Sequence, residues 1–308
     1  MIIVFGSLNV DMVMKIETMP HPGDTVLCPN YRLVPGGKGA NQALAAAKAG
    51  APVKLFGKVG QDDFGNVVLG ALKTSSIDLQ GVDSISEAST GCAMVCVDKA
   101  GENMIVVASG ANLKAQEADI PNSLFSKETI LLLQMETTAE ENWKLIQRAK
   151  KQGARVLLNL APAHPIPEDS LCSLDILILN QNEAALLALH LGFDVISPTA
   201  AARRIAATYG IICIVTLGKE GAIACCSEGT WVVKAMEIDP IDTTAAGDAF
   251  VGVLAASLDA GLTLPLALQR ASVASGLTCL QAGAQSSLPS NLQIDANLKK
   301  IPLPRLMV

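Results

Sequence analysis

The segment Asp242-Thr243-Thr244-Ala245-Ala246-Gly247-Asp248 sets small residues and a carboxylate ahead of an apolar run, Ala249-Phe250-Val251-Gly252-Val253-Leu254-Ala255-Ala256. The run predicts a helix that opens on small side chains. The first N–H groups of a helix lack intrahelical partners, and the dipole places roughly half a positive charge there, so a start lined by glycine and alanine can cradle a phosphate. Asp248 falls inside that cradle. A carboxylate in a first turn also serves simply to satisfy the dipole, and the segment alone does not separate the two roles.

A second group of chemical interest is Gly36-Gly37-Lys38-Gly39-Ala40-Asn41-Gln42-Ala43. A P-loop needs Ser or Thr directly after its Lys, and here Gly39 follows, so that reading fails. No G-x-G-x-x-G follows the first strand, and dinucleotide binding has no support. What remains is a glycine turn that lets backbone approach a ligand closely, then a helix start where Lys38 and Asn41 can donate; a purely structural turn fits the same residues. Asn9 and Asp11 follow the first apolar run, and period-two alternation puts both on one side, where a polyol needs fixed donors and acceptors. An Asx turn closing the strand accounts for them equally. Asn180-Gln181-Asn182-Glu183 has the spacing of a helix capping box, and Thr216-Leu217-Gly218-Lys219-Glu220-Gly221 reads as a tight turn between strands.

Taken together, the two glycine-containing segments resemble the C-terminal and N-terminal signatures of the ribokinase/PfkB carbohydrate kinase family. The resemblance runs from Gly6-Ser7-Leu8-Asn9-Val10-Asp11 to Gly283-Ala284-Gln285-Ser286-Ser287. It implies ATP-dependent phosphorylation of a sugar, D-ribose to D-ribose 5-phosphate being the expected reaction. Asn9, Asp11, Gly37, Lys38, Gly39, Ala40, Asn41 and Glu136 would then meet the sugar. Asp248 would act as base, and the N–H groups of Ala245, Ala246 and Gly247 would hold the transferring phosphoryl. The nucleotide would lie on Asn180, Thr216, Leu217, Gly218, Lys219, Glu220 and Gly221, near Gly247 and Asp248. Ser272 stands where the family often carries His or Asn beside the adenine, which leaves that contact open.

The resemblance also implies Mg²⁺, supported by Glu183 mainly through water, and a monovalent cation, K⁺, at Asp242, Thr244, Thr278, Gln281, Gly283 and Ser287, mostly through backbone oxygens. Rival readings share these features, among them another pentose or hexose kinase of the same family. A nucleoside kinase of the same fold would want an aromatic face for the base, and the expected lid offers only Tyr31. A non-catalytic sugar-binding protein would not need both Asp248 and the full glycine loop.

Composition limits the partners. Net charge is −6, with only 2 Trp, 2 Tyr and 6 Phe in 308 residues, which argues against nucleic-acid binding. Of the 8 cysteines, Cys92, Cys96, Cys213, Cys225, Cys226 and Cys279 lie in apolar stretches and read as reduced core residues. No C-x₂-C pair occurs, and His21, His164 and His190 stand apart, so a structural metal site is not expected. The start, Met1-Ile2-Ile3-Val4-Phe5-Gly6, has no basic n-region and too short an apolar run for a span; a cytoplasmic protein is expected, with no membrane association.

The positioning elements follow from periodicity. β-branched or leucine-rich runs at Ile2–Phe5, Val53–Phe56, Ile130–Leu133, Val156–Leu158, Ile176–Ile178 and Ile211–Val215 alternate with helical patterns at Lys38–Ala49, Phe64–Thr74 and Ala139–Lys151. This rhythm predicts a doubly wound, mostly parallel α/β sheet with helices on both faces and ligands at the strands' carboxyl ends. Asn9, Glu136, Asn159 and Asn180 each fall just after such a run. Residues 12–34 and 90–107 break the rhythm with turn signals at Pro20–Asp24 and Asp98–Glu102. They read as antiparallel strands of a small separate sheet, a lid that by resemblance also pairs two subunits as a homodimer. The alternation of Met12, Met14 and Ile16 with Val13 and Lys15 suggests one buried face. Residues 1–308 are expected to form one kinase domain, with the tail Ile301–Arg305 extended and poorly fixed.

Overall fold

The computed structural model describes residues 1–99, 102–194 and 197–307. The chain opens with β1 (Ile2–Phe5), β2 (Asn9–Lys15) and β3 (Tyr31–Gly36), then α1 (Lys38–Lys48), β4 (Val53–Gly60), α2 (Asp63–Lys73), β5 (Asp78–Ile85), β6 (Gly91–Val97) and β7 (Asn103–Ala108). The middle comprises β8 (Ile130–Leu133), α3 (Ala139–Lys151), β9 (Arg155–Asn159), α4 (Glu168–Leu171), β10 (Ile176–Asn180), α5 (Gln181–His190) and α6 (Pro198–Tyr209). Next come β11 (Ile212–Thr216), β12 (Ala222–Cys226), β13 (Gly229–Val233), α7 (Ala246–Asp259), α8 (Leu264–Thr278), α9 (Asn291–Asn297) and β14 (Arg305–Met307).

The large sheet is 10-stranded in the order β14-β13-β12-β11-β10-β9-β8-β1-β4-β5. From β11 to β5 all neighbours are parallel, and β12, β13 and β14 add an antiparallel edge. Strands buried on both faces need continuous apolar runs, and Ile2-Ile3-Val4-Phe5 is fully buried. Ile2 and Val4 point into the core beneath α1, α7 and α8, while Ile3 and Phe5 point into the core beneath α3, α5 and α6. Local signals set helix ends: Asp62 accepts from Gly65 N–H to open α2, Ser197 with Pro198 opens α6, and left-handed Gly210 closes it.

The lid departs from expectation. Its 4-stranded sheet runs β3-β2-β6-β7, and the central β2–β6 pair is parallel, because a long excursion through α1, β4, α2 and β5 returns β6 in the same direction as β2. The lid is therefore a mixed sheet. Asn9 and Asp11 lie inside β2, opposite Gly36 and Val34 on β3, which removes the Asx-turn reading. Met12, Val13 and Met14 are all half-buried, so the expected single buried face is not formed within the chain. Of the expected turn at Asp98–Glu102, Ala100 and Gly101 lie outside the described residues. The tail is also corrected: β14 pairs antiparallel with β13, placing Leu306 opposite Trp231, and Ile301 is buried.

Candidate active site

The turn between β1 and β2 and the start of α1 pack backbone against backbone. Gly37 sits at φ 90°, before the first helical residue, where a Cβ would lie 2.8 Å from Asn9 N and Ser7 O. At Gly39 a Cβ would lie 2.5 Å from Gly6 C and Ser7 N. Glycine is thus required for α1 to start against this turn, with Ala40 N–H donating to Ser7 O at 2.9 Å. The Ser7 hydroxyl donates to Glu136 Oε2 at 2.5 Å, and the same oxygen accepts the Lys38 backbone N–H at 3.0 Å. Glu136, just past β8, is pinned at one oxygen.

Asp248 lies in the first turn of α7 and is buried. Its Oδ2 accepts from Asn41 Nδ2 at 3.0 Å and its Oδ1 from Gln42 Nε2 at 2.9 Å, so α1 supplies both donors. Ala245, left-handed at φ 59°, precedes the helix. The Ala246 N–H is already taken by Thr243 O at 3.2 Å, whereas the N–H groups of Ala245 and Gly247 have no acceptor among the described residues. The expected three-donor cradle is thus reduced to two free donors, and Asp248 N–H is a third open group in the same turn.

Charges converge here. Burial raises the Asp248 carboxyl above its ordinary range, opposed by Lys38 and by the Asn41 and Gln42 hydrogen bonds. Burial pushes the Lys38 ammonium down, but Asp248, Glu136, Glu183 and Asp11 around it outweigh that and hold it high. Asp11 is raised to about 6 by burial first, then by Glu136 and Asp248, against the pull of Lys38. Asp11, Lys38, Glu136 and Asp248, the last bonded by Asn41, therefore share one electrostatic neighbourhood.

The proposed nucleotide residues line the adjoining strand ends. Asn180 stands opposite Thr216 in the β10–β11 ladder. Asn180 Oδ1 accepts from Glu183 N–H at 2.9 Å and Glu183 Oε2 accepts from Asn180 N–H at 2.7 Å, a complete capping box. Burial raises the Glu183 carboxyl, and with one oxygen committed it fits a water-mediated role toward a cation rather than direct ligation. Leu217, Gly218, Lys219, Glu220 and Gly221 form the tight β11–β12 connection, closed by Leu217 N–H to Gly221 O at 2.8 Å. Ser272 is buried on α8 and its hydroxyl donates to Lys234 O at 2.7 Å, so it is not available as a donor to a base.

The expected cation residues form a linked pair of loops. Asp242 accepts from Thr244 N–H at 2.9 Å and from Gly283 N–H at 2.8 Å, and these bonds hold its carboxyl below the ordinary range despite burial. Gln281 N–H reaches Thr278 O at 3.4 Å, and Ser287 donates to Ala284 O at 2.8 Å. Within the same turn the buried Gln285 amide has no partner at either end, the kind of orphaned polar group a bound ion or water resolves. Oxygen donors and an orphaned amide fit a hard monovalent cation. A cavity of about 450 Å³ lined by Arg203, Cys225 and Thr230 stands apart from all of these groups.

Sequence reasoning placed Asn159 on the rim but passed over Ser7, Gln42, Asn112 and Gln134. Gln134 carried a readable signal: a polar residue directly after Ile130-Leu131-Leu132-Leu133, in a run buried throughout, must be satisfied by something. Asn112 carried none, since it comes from a short 3₁₀ turn far along the chain.

The profile of the pfkB family carbohydrate kinases matches residues 1–291. A ribokinase of Schizosaccharomyces pombe is 35% identical, over 97% of this chain and 98% of that protein. A deoxyribokinase of Salmonella typhi is 32% identical, over 96% and 98%. The structure of an Arabidopsis thaliana ribokinase complexed with ribose and ATP superposes with a TM-score of 0.86 at 29% identity, covering 97% of this chain and 98% of that one.

Proposed function

The chain belongs to the pfkB family of carbohydrate kinases, and from that premise we propose that it transfers the γ-phosphoryl group of ATP to the 5-hydroxyl of D-ribose. The observation that carries the reading is the Asp248 carboxylate, held by Asn41 and Gln42 in a helix turn with free N–H groups. The sugar oxygen attacks the γ-phosphorus, its proton passes to Asp248, and the bond to the bridging oxygen breaks to release ADP. The N–H groups of Ala245 and Gly247 face the charge on the transferring phosphoryl, and Lys38 offsets the carboxylates around it.

Asn9, Asp11, Glu136 and the Gly37–Asn41 turn hold the sugar, and Asn180 with the Thr216–Gly221 turn holds the nucleotide. Mg²⁺ on the nucleotide phosphates, with Glu183 reaching it through water, would neutralise phosphate charge; among the described residues no three His, Cys, Asp or Glu side chains form a cage of their own. The loops at 242–244 and 278–287 would hold K⁺ and thereby stiffen the turn that presents the phosphoryl-binding N–H groups.

We read residues 1–308 as one such kinase, cytoplasmic, and paired through the lid. Among the described residues no helix is long and apolar enough to cross a membrane. Leu33, Met94 and Val106 stand in register across the lid sheet and are exposed on one face, an apolar surface that a second copy would cover. The deoxyribokinase relative gives one specific alternative, 2-deoxyribose as the preferred sugar. Measuring kcat/KM for ribose, 2-deoxyribose, fructose and adenosine with ATP decides it: ribose should lead, because each sugar hydroxyl that is missing leaves a buried polar group unpaired, at about 1–3 kcal/mol. Adenosine as the best substrate would overturn the sugar-kinase reading.

A further inference from the structure

Behind Asp248 lies a second layer of neutral amides. Gln42 and Gln134 are fully buried and Asn159 nearly so. Gln134 Nε2 donates to Gln42 Oε1 at 2.8 Å, and Gln42 Nε2 donates at 2.9 Å to both Asn159 Oδ1 and Asp248 Oδ1. Asn159 Nδ2 in turn donates to the Ile178 carbonyl of β10 at 3.3 Å. We propose that Gln42 is a positioning residue for Asp248, its amide held the right way round by Gln134 and Asn159 so that a donor always faces one carboxylate oxygen.

The direction of the array follows from groups that cannot reverse. A backbone carbonyl only accepts, so Ile178 O fixes the Asn159 amide with Oδ1 toward Gln42. Gln42 must then present Nε2, and that same nitrogen is the one within reach of Asp248. Gln134 donates from the other side to the Gln42 oxygen and satisfies it; its own Oε1 has no partner, so the direction of the array is set from the Asn159 side. Two glycines make the space: a Cβ at Gly6 would lie 2.1 Å from Gln134 Oε1, and one at Gly252 would lie 2.5 Å from the Gln42 backbone O, so Gly252 lets α7 approach α1 closely at that point.

The consequence is a carboxylate with one fixed acceptor bond on each oxygen, from Asn41 and Gln42. Its remaining lone pairs point in defined directions, and an incoming proton has a fixed place to go. The charged groups facing Asp248 are Lys38 at the head of α1, Glu136 after β8 and Asp11 on β2. Lys38 alone would leave the carboxylate free to swing toward it.

The kinetic half of this inference rests on the kinase reading, so the test includes a readout that needs no substrate. The Asp248 carboxyl is titrated by ¹³C NMR in the full-length, substrate-free protein, alongside the pH profile of kcat. Gln42→Met should raise the Asp248 titration by roughly one to two pH units, because a hydrogen bond to the ionised form is lost, and the acid limb of kcat should move up with it. KM for ATP should stay unchanged. Gln134→Met, which does not touch Asp248, should move both readouts the same way by less.

If Gln42→Met does not fold, the isosteric Gln42→Glu keeps the question open: two facing carboxylates should share one proton, and titrate in two steps with the upper one well above wild type. A folded Gln42 variant whose Asp248 titrates as in wild type would overturn the proposal. A shifted titration in a protein whose wild type phosphorylates no sugar would uphold it and overturn the kinase reading instead.

Discussion

Asn112 Nδ2 donates to Asn9 Oδ1 at 2.7 Å, while Asn112 Oδ1 accepts the Leu8 backbone N–H at 2.9 Å. Because a backbone N–H can only donate, the second bond fixes the first, and Asn9 is left with its amide nitrogen turned away from Asn112, where the proposed sugar would meet it. Gly91 leaves the room: a Cβ there would fall 2.1 Å from Asn9 Oδ1. Asn112→Leu should therefore raise KM for the sugar with little change in KM for ATP, since it frees Asn9 to turn. It should also cost about 1–3 kcal/mol of stability by leaving Leu8 N–H buried without an acceptor. Steady-state kinetics and urea unfolding check the two halves.

Asp248→Asn should lower kcat by at least about 10²-fold, the usual contribution of a general base, while sugar and nucleotide still bind in calorimetry. The new amide nitrogen would face a donor from Asn41 or Gln42. Asn41 Oδ1 has no partner, so Asn41 can turn over and accept from it, which keeps the variant folded. More than about a tenth of wild-type turnover would remove the base assignment.

Stability should depend on pH through Asp11. Its folded pKa of about 6 exceeds the ordinary 3.8, so the folded state holds this proton more tightly than the unfolded chain does. The sign follows: the favourable contribution is complete below pH 3.8 and is lost as pH rises through about 6. Asp11→Asn, neutral at every pH, should thus gain stability relative to wild type across that interval and hold a constant difference above it. Denaturant unfolding of both proteins between pH 4 and pH 8 measures the difference; parallel curves would sink the argument.

Turnover should be faster in K⁺ than in tetramethylammonium at matched ionic strength, because a cation among the 242–244 and 278–287 loops would order the turn bearing the Ala245 and Gly247 N–H groups. Asp242→Ala, which releases both Thr244 and Gly283, should abolish the difference. A cation-dependent gain in thermal stability that vanishes in the same variant provides a readout independent of turnover. Equal rates in both salts would count against the site.

Much of this molecule was legible in one dimension. Runs such as Ile130–Leu133 and Ile176–Leu179 are apolar without alternation because both faces are covered, and that pattern alone indicates a parallel sheet between helix layers. The glycine turn before Lys38 and the small residues before Asp248 could be read because their chemistry is local: backbone approach and unpaired helix N–H groups belong to a few consecutive residues. The capping box at Asn180 and Glu183 was legible for the same reason.

Relations between distant segments were decided only in three dimensions. The lid became a mixed sheet because the direction of β6 depends on where α2 and β5 deliver it, which no residue within residues 90–107 records. Of the tail Ile301–Arg305, read as extended and poorly fixed, Arg305 opens β14, because β13 presents an open edge whose backbone groups pair with that strand. The orientation of Asp248 depends on Gln42 on α1, Asn159 on β9 and Gln134 just after β8, and that of Asn9 on Asn112. A side-chain amide has the same composition whichever way it faces, so only the fixed carbonyls and N–H groups of the folded chain decide which end becomes the donor.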